Sequence, residues 1–529
     1  MKSNLSSFEL SVCVFLWTFA NLYTLVKLYQ SQTEILENNP DAASQLSDLE
    51  PGWSFLSRLK DVSDIEWTSW KYFIKISWFY LIVQSIITEI IRRKQVCQLK
   101  YWYIISSMIF VVIYLGYKQL LLIMVQPVLY ATVIFLGGKN SDIWITSSLL
   151  LLSYNSIKYR TFFWYFLEYE NLYDEEVYLI LFCIPWVELR CISFCLDYVE
   201  KSKDSSKKNS KIETLIDLTS YVLYVPLLYT GPVILYEDFM KSFSFPNQEA
   251  SVKLKHFILD MFLFLFYTFV MDASLHYIYF YAMHSDMELV RMFPTLALCG
   301  GGLWMGLQFH MKYVIAYGTT AAFARLDNME MPPTPRCIAR IHVYSQMWRY
   351  FDVGLYRFLV KYIYKPSFEA LSEWFTLPQI IIKLIASFAT FVFIFMWHGT
   401  IMRVFVWSVL NYLGITLEYF SKAISTTEQY KWFKKNILRT EAMETRFTAM
   451  LCVPLLHLSA ISNFYLFAGR KIGNYYFQYF LPFVLNFNSV VIFISLYCCC
   501  IVSMALQDVP SRTDKKLHVK VNKSEMKCE

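Results

Sequence analysis

The sequence predicts an all-α polytopic membrane protein, a bundle of about ten to twelve membrane helices that includes re-entrant elements. Three observations predict it. Of 529 residues, 56% are hydrophobic and only 17% charged, and the mean hydropathy is +0.37; a soluble chain of this size could not keep such a surface wetted. The apolar residues also come in runs, near 8–28, 71–91, 101–116, 119–137, 177–196, 214–236, 257–283, 290–317, 376–397, 401–419, 447–468 and 480–506. Each approaches the roughly 20 helical residues that cross a hydrocarbon core, and the shorter or Gly/Pro-interrupted ones are the re-entrant candidates. Finally, polar and apolar residues do not alternate within the runs, which excludes the strands of a closed barrel.

The first run is preceded by Lys2 alone and is followed by no small-x-small cleavage site, so it is expected to stay as the first membrane helix. Residues 33–67 after it are acidic, with Glu34, Glu37, Asp41, Asp48, Glu50, Asp61, Asp64 and Glu66, and nothing there resists translocation. Basic clusters sit at 92–100, 201–211, 431–439 and 512–527. By the positive-inside rule these face the cytosol, which places both termini there and requires an even number of crossings. The net charge of +6 is modest, and the lysines of 201–211 read as a solvated loop rather than a nucleic-acid contact. Twelve cysteines are scattered without the spacing of a disulfide framework. The clusters Cys191/Cys195 and Cys498–Cys500 have no histidines at zinc spacing and read as small core residues.

No repeat of 20–50 residues and no matching pair of broken helices is visible, as an inverted-repeat transporter would show. The chain reads as one membrane domain over 1–510, with a motif core at about 220–420, followed by a basic cytosolic tail over 511–529. The polar stretch 322–366 stands apart. It opens with Pro332, Pro333 and Pro335, which forbid a helix through its middle. An amphipathic segment follows, with Trp348, Phe351, Leu355, Phe358 and Leu359 at helical spacing and Arg349, Arg357 and Lys361 between them; it should lie at the interface or floor a cavity rather than span.

Ionisable groups inside apolar runs cost on the order of 2–4 kcal/mol at depth, so they are paired or functional. The candidates are His276, His284, His310, His398, His457, Asp260, Asp272 and Glu418. For an isolated histidine a satisfied interhelical hydrogen bond is the commoner role, but His398 has a distinctive setting. Trp397 precedes it, Gly399 and Thr400 follow it, and a neutral imidazole beside a wet cavity can take a proton from an amine or hydroxyl. A cation pathway through Asp260, Asp272 and His276 is the transporter alternative, and an inactive ligand-binding scaffold is a third reading.

Four segments, PRCIARIHVYSQMWRYFDVGLYRFLVKYIY (335–364), FMWHG (395–399), VWSVLNYLGITLE (406–418) and VPLLYTGPVILYEDF (225–239), resemble the membrane-bound O-acyltransferase family. The resemblance is strongest to its protein-cysteine N-palmitoyltransferase branch, which acts on Hedgehog-type secreted proteins. It covers most of 180–470; the first 170 or so residues match mainly in hydropathy. The resemblance implies transfer of palmitate from palmitoyl-CoA to the N-terminal cysteine of secreted Hedgehog-type, and also EGF-type, signalling proteins in the lumen of the endoplasmic reticulum or Golgi. It implies His398 and Asp352 as catalytic residues, Trp348, Trp397, Arg349 and Asn411 as substrate-binding residues, and Cys337 as the ligand of a haem iron. Arg349, Arg357 and Lys361 would suit the CoA phosphates. Serine O-acylation and lysolipid or sterol acylation remain alternatives within the family. The short loop after KYIYKP and the lysine-rich 201–211 depart from its pattern.

Overall fold

The structure, a computed structural model, describes residues 5–202, 210–245, 247–337, 341–481 and 486–507. The basic tail and most of the 201–211 cluster lie outside the described residues. The chain is helical nearly throughout. Its main helices are α1 (Ser7–Asn38), α2 (Ile65–Lys94), α3 (Leu99–Tyr114), α4 (Tyr117–Phe135), α5 (Asn140–Tyr154), α6 (Ile157–Leu167), α7 (Asp174–Ser202), α8 (Lys211–Val222), α9 (Tyr236–Ser244), α10 (Ala250–Ser274) and α11 (Thr295–Leu326). These are followed by α12 (Tyr344–Phe351), α13 (Val353–Leu359), α14 (Lys365–Trp374), α15 (Gln379–His398), α16 (Met402–Ser425), α17 (Glu441–Phe480) and α18 (Phe487–Gln507). One small hairpin, β1 (Leu49–Pro51) antiparallel to β2 (Leu59–Asp61), interrupts the acidic stretch.

Among the described residues, nine helices are long and apolar enough to cross a bilayer: α1, α2, α3, α4, α7, α10, α15, α17 and α18. Helices α11 and α16 are of comparable length, 32 and 24 residues. Helix α7 is the axis of the bundle, with a run from Cys183 to Asp197 buried almost without a break. Several of its polar groups are matched from neighbouring elements. Tyr130 on α4 donates to Glu188 at 2.6 Å, Arg190 donates to the Val222 and Leu227 carbonyls, and Tyr362 donates to Asp197 at 2.9 Å. Outer helices show the reverse pattern, with Phe15 and Phe19 on α1 and Phe262 and Phe266 on α10 exposed, as a surface solvated by lipid tails requires.

The ionisable groups of the transporter alternative are used up as braces. Asp272 accepts from Lys60 at 2.5 Å, Lys71 at 3.0 Å and the Trp67 indole at 3.1 Å. His276 lies between the Asp272 carbonyl, 2.8 Å from Nδ1, and the Trp53 amide, which donates to Nε2 at 3.0 Å. Asp260 pairs with Arg325 at 2.9 Å. These bonds tie the hairpin region to α2 and α10, and α10 to α11. The buried cysteines likewise behave as core: Cys191 and Cys195 are fully buried, and Cys498 and Cys500 pack against Cys13 and Cys452.

The polar stretch after α11 is extended through its prolines and then folds into three short helices rather than one amphipathic rod. Asp352 breaks the first from the second, with φ −124° and ψ 89°, and its Oδ1 caps α13 by accepting from the Leu355 amide at 2.9 Å. Two residues on, Gly354 packs so closely that a Cβ would collide with the Val233 carbonyl. The WRYFDVG and VPLLYTGPV segments are thereby locked together, and a π-helical turn over Val360–Tyr364 leads into α14.

Candidate active site

A cavity of about 1390 Å³ runs through the body of the bundle, walled by α1, α7, α11, the α12–α13 break, α15, α16, α17 and α18. His398 is the last residue of α15, and Gly399 behind it has φ +113°, a left-handed conformation that turns the chain sharply away. The helix therefore ends where its imidazole meets the cavity. The ring is exposed there, although the residue lies deep in the molecule. It stands edge-on to Trp397 at 4.7 Å and to Trp407 at 5.3 Å. Among the described residues, neither ring nitrogen has a hydrogen-bond partner, so both are free to meet a substrate.

Asp352 faces the same cavity. The arginines near it in sequence do not neutralise it. Its Oδ2 accepts from the Tyr317 hydroxyl at 3.0 Å and its Oδ1 from the Leu355 amide. Burial pushes the carboxyl above its ordinary range, while those two donors and the Gly354 amide oppose the shift. No bond joins Asp352 to His398, so the carboxylate is not what orients the imidazole.

Trp348, Trp397 and Arg349 also line the cavity, whereas Asn411 does not. Asn411 is fully buried behind the wall. It accepts the Trp348 indole N–H at 3.0 Å and donates to the Trp407 carbonyl at 2.7 Å. Its geometry is that of a support for Trp348. Trp397 donates to the Pro185 carbonyl at 3.0 Å, where Pro185 interrupts the ladder of α7. The expected phosphate partners divide differently. Arg357 pairs with Asp238 at 2.7 Å, and Lys361 pairs with Asp197 at 3.0 Å and Glu237 at 3.1 Å, so both are neutralised. Arg349 lies over the Tyr350 and Tyr356 rings and has no carboxylate partner among the described residues. Lys365 and Lys422 are in the same position: they are exposed, they line the cavity, and they have no such partner.

Cys337 is exposed and is not part of the cavity wall. A haem needs its axial ligand directed into a flat, enclosed apolar slot, and the described surroundings of Cys337 do not fit one. No cluster of three or more potential metal ligands occurs among the described residues.

The family model for the membrane-bound O-acyltransferase family matches residues 130–461, more than half of the chain. The chain belongs to this family. Among individual relatives, this acyltransferase is similar to the protein-cysteine N-palmitoyltransferase Rasp of Drosophila melanogaster, at 28% identity over 80% of the chain and 81% of the relative. It is also similar to the protein-cysteine N-palmitoyltransferase HHAT of Mus musculus, at 24% over 90% and 93%. The HHAT-like protein of the same mouse is 26% identical over 75% and 77%.

Several residues of the acyltransferase's cavity carry no mark in the sequence. Tyr317 was visible only as one member of the stripe Phe309, His310, Tyr313 and Tyr317 on α11, all of which line the cavity. Lys365 and Lys422 flank apolar runs as ordinary interfacial lysines do. Asn155, which touches the turn after His398, comes from α5 and resembles any helix-ending asparagine.

Proposed function

We propose that this acyltransferase moves palmitate from palmitoyl-CoA to the N-terminal cysteine of a secreted, Hedgehog-type signalling protein, in the membrane of the endoplasmic reticulum and with both termini in the cytosol. One observation carries the reading: an imidazole with no hydrogen-bond partner among the described residues, at the end of an apolar helix, opens into a large cavity that it shares with a half-buried carboxylate. The names of the relatives supply the acceptor class.

The donor's nucleotide head is too charged to cross a bilayer and stays at one mouth of the cavity. Helices α15 and α16 form a hairpin with His398 at its closed end. Lys422 lies twenty residues along α16 from Met402, or roughly 30 Å. Lys422 and Lys365, which line the cavity without a carboxylate partner among the described residues, would hold phosphates while the thioester reaches inward. The sixteen-carbon chain is retained by apolar walls, at roughly 0.8 kcal/mol per buried methylene.

The acceptor arrives as an ammonium ion, which cannot attack. Asp352, which has no cationic partner, attracts that charge and holds it beside the imidazole. One proton of the ammonium leaves to water, His398 removes a second as the amine nitrogen adds to the thioester carbonyl carbon, and the C–S bond breaks. The proton passes from the imidazolium to the departing CoA thiolate. Nitrogen and carbon are left joined as an amide, and no acyl-enzyme is needed because the thioester is already activated. Trp397 and Trp407 hold the ring between them, and the aromatic walls keep bulk water from the thioester.

The test is purified enzyme with palmitoyl-CoA and luminal peptides that begin with Cys, Ser or Ala. Transfer to the Cys peptide alone supports the proposal. Transfer to Ser, or only to lysolipid or sterol, replaces it with another activity of the family. Reversing charge with Lys365→Glu and Lys422→Glu together is expected to raise KM for palmitoyl-CoA about tenfold at low salt, with kcat within about twofold. The difference should shrink as ionic strength rises.

A further inference from the structure

Among the described residues the imidazole at the end of α15 has no hydrogen-bond partner, yet general-base catalysis requires its position to be fixed. Something else must fix the turn that carries it. The last carbonyls of a helix lack intrahelical partners, and Gly399 at φ +113° makes this terminus especially free to pivot. Among the described residues, Asp352 makes no bond to the turn: its oxygens accept from Tyr317 and Leu355.

The bonds that do hold it come from Asn155, just past the end of α5. Its Nδ2 donates to the Leu151 carbonyl at 2.7 Å, which anchors the amide to its own helix, and to the Met396 carbonyl at 3.4 Å. Its Oδ1 accepts from the Thr400 amide at 2.8 Å. One side chain therefore bridges the residues on either side of Trp397, His398 and Gly399. The same Oδ1 is the atom that a Cβ on Gly399 would meet, at 3.5 Å. Asn155 also lines the cavity, so the clip closes on the cavity side of the turn. Behind the turn, the Trp397 indole is fixed to Pro185. The turn is held from two sides.

We infer that Asn155 is the positioning residue of His398: its carboxamide clamps the Met396–Thr400 turn and aims the imidazole at the reacting centre. The inference rests on the reading of His398 as general base. The asparagine side chain suits the task because it offers one donor and one acceptor on a short arm, matching a carbonyl and an amide at once. Aspartate keeps the acceptor for Thr400 and loses the donor to Met396. Glutamine has both groups one methylene too far out.

The experiment measures kcat and KM for both substrates in Asn155→Ala, Asn155→Asp and Asn155→Gln, alone and on the His398→Ala background, together with thermal unfolding. The expected result is a fall in kcat of about thirtyfold for Asn155→Ala, with both KM values within about twofold. Asn155→Asp should retain more activity than Asn155→Ala. On the His398→Ala background, Asn155→Ala should not slow the residual rate further, because a residue acting only through the imidazole has nothing left to position. An equal fall on both backgrounds, a rise in KM with kcat unchanged, or an unaltered kcat in the folded Asn155→Ala protein would overturn the inference. A wild-type enzyme that acylates no Cys-initiated peptide would instead overturn the proposed function.

Discussion

Replacing His398 with glutamine will lower palmitate transfer to a Cys-initiated peptide by roughly 10²–10⁴-fold, with KM for palmitoyl-CoA within about twofold. The large effect follows from the position of the ring. Its nitrogens have no partner among the described residues, so removing the imidazole breaks no hydrogen bond there and is expected to leave the bundle intact. Its ring contacts among the described residues are the edges of Trp397 and Trp407, and glutamine is close to histidine in volume. The melting temperature should move little. Glutamine can donate a hydrogen bond but cannot accept a proton at neutral pH, so the substitution isolates the base function. A folded His398→Gln protein with undiminished transfer would remove the catalytic assignment.

Asp352→Asn is expected to cut kcat/KM for the peptide by about 10–100-fold and to leave palmitoyl-CoA binding unchanged. Asparagine is as good a helix cap as aspartate, so the bond from the Leu355 amide and the break between α12 and α13 should both survive. With the amide oxygen kept on Leu355, the new NH2 faces Tyr317, whose hydroxyl can turn and accept from it. What disappears is the negative charge, and with it the attraction for an incoming ammonium. Asp352→Ala should be worse in two ways, since it also removes the cap, at about 1 kcal/mol of stability. Comparing the two variants by kinetics and by unfolding separates charge from architecture. Equal activity in Asp352→Asn and wild type would show that the charge has no role.

How far the sequence could be read varied with the kind of residue. That His398 and Asp352 stand out was legible because their signal is local, and both line the cavity: FMWHG places an imidazole at the end of an apolar helix, and WRYFD sits in the most polar stretch of the core. The apolar runs were legible for a similar reason, since the bilayer imposes one length on them all. The partition of cations was not legible. Arg349, Arg357 and Lys361 are alike in sequence, and only the folded positions of Asp238, Asp197 and Glu237 decide that two are neutralised and one is free. Asn411 was placed at the substrate and lies one layer behind it, because a helix motif does not say which face turns inward. Asn155 could not be found at all. It meets Met396 from 241 residues away in the chain, and no pattern in a single sequence encodes such a meeting. Asp272 and His276 were suspected of being partnered or functional; of their partners, Lys60 and Trp53 come from an acidic loop that gives no hint of them and Lys71 from the start of α2.

The burial of α7 bears on how this protein is made. Each ionised side chain at mid-bilayer costs on the order of 2.5–3.5 kcal/mol during insertion, and this helix carries Glu188, Arg190 and Asp197 in its buried stretch. Tyr130 emerges from the ribosome before Glu188, and the carbonyls that receive Arg190 follow within 37 residues. Asp197 must wait for Tyr362, 165 residues further on. Throughout that interval of synthesis the future centre of the molecule needs shelter from lipid, so a nascent chain stalled or truncated before α14 would present quality-control machinery with an unneutralised acid in its oldest helices.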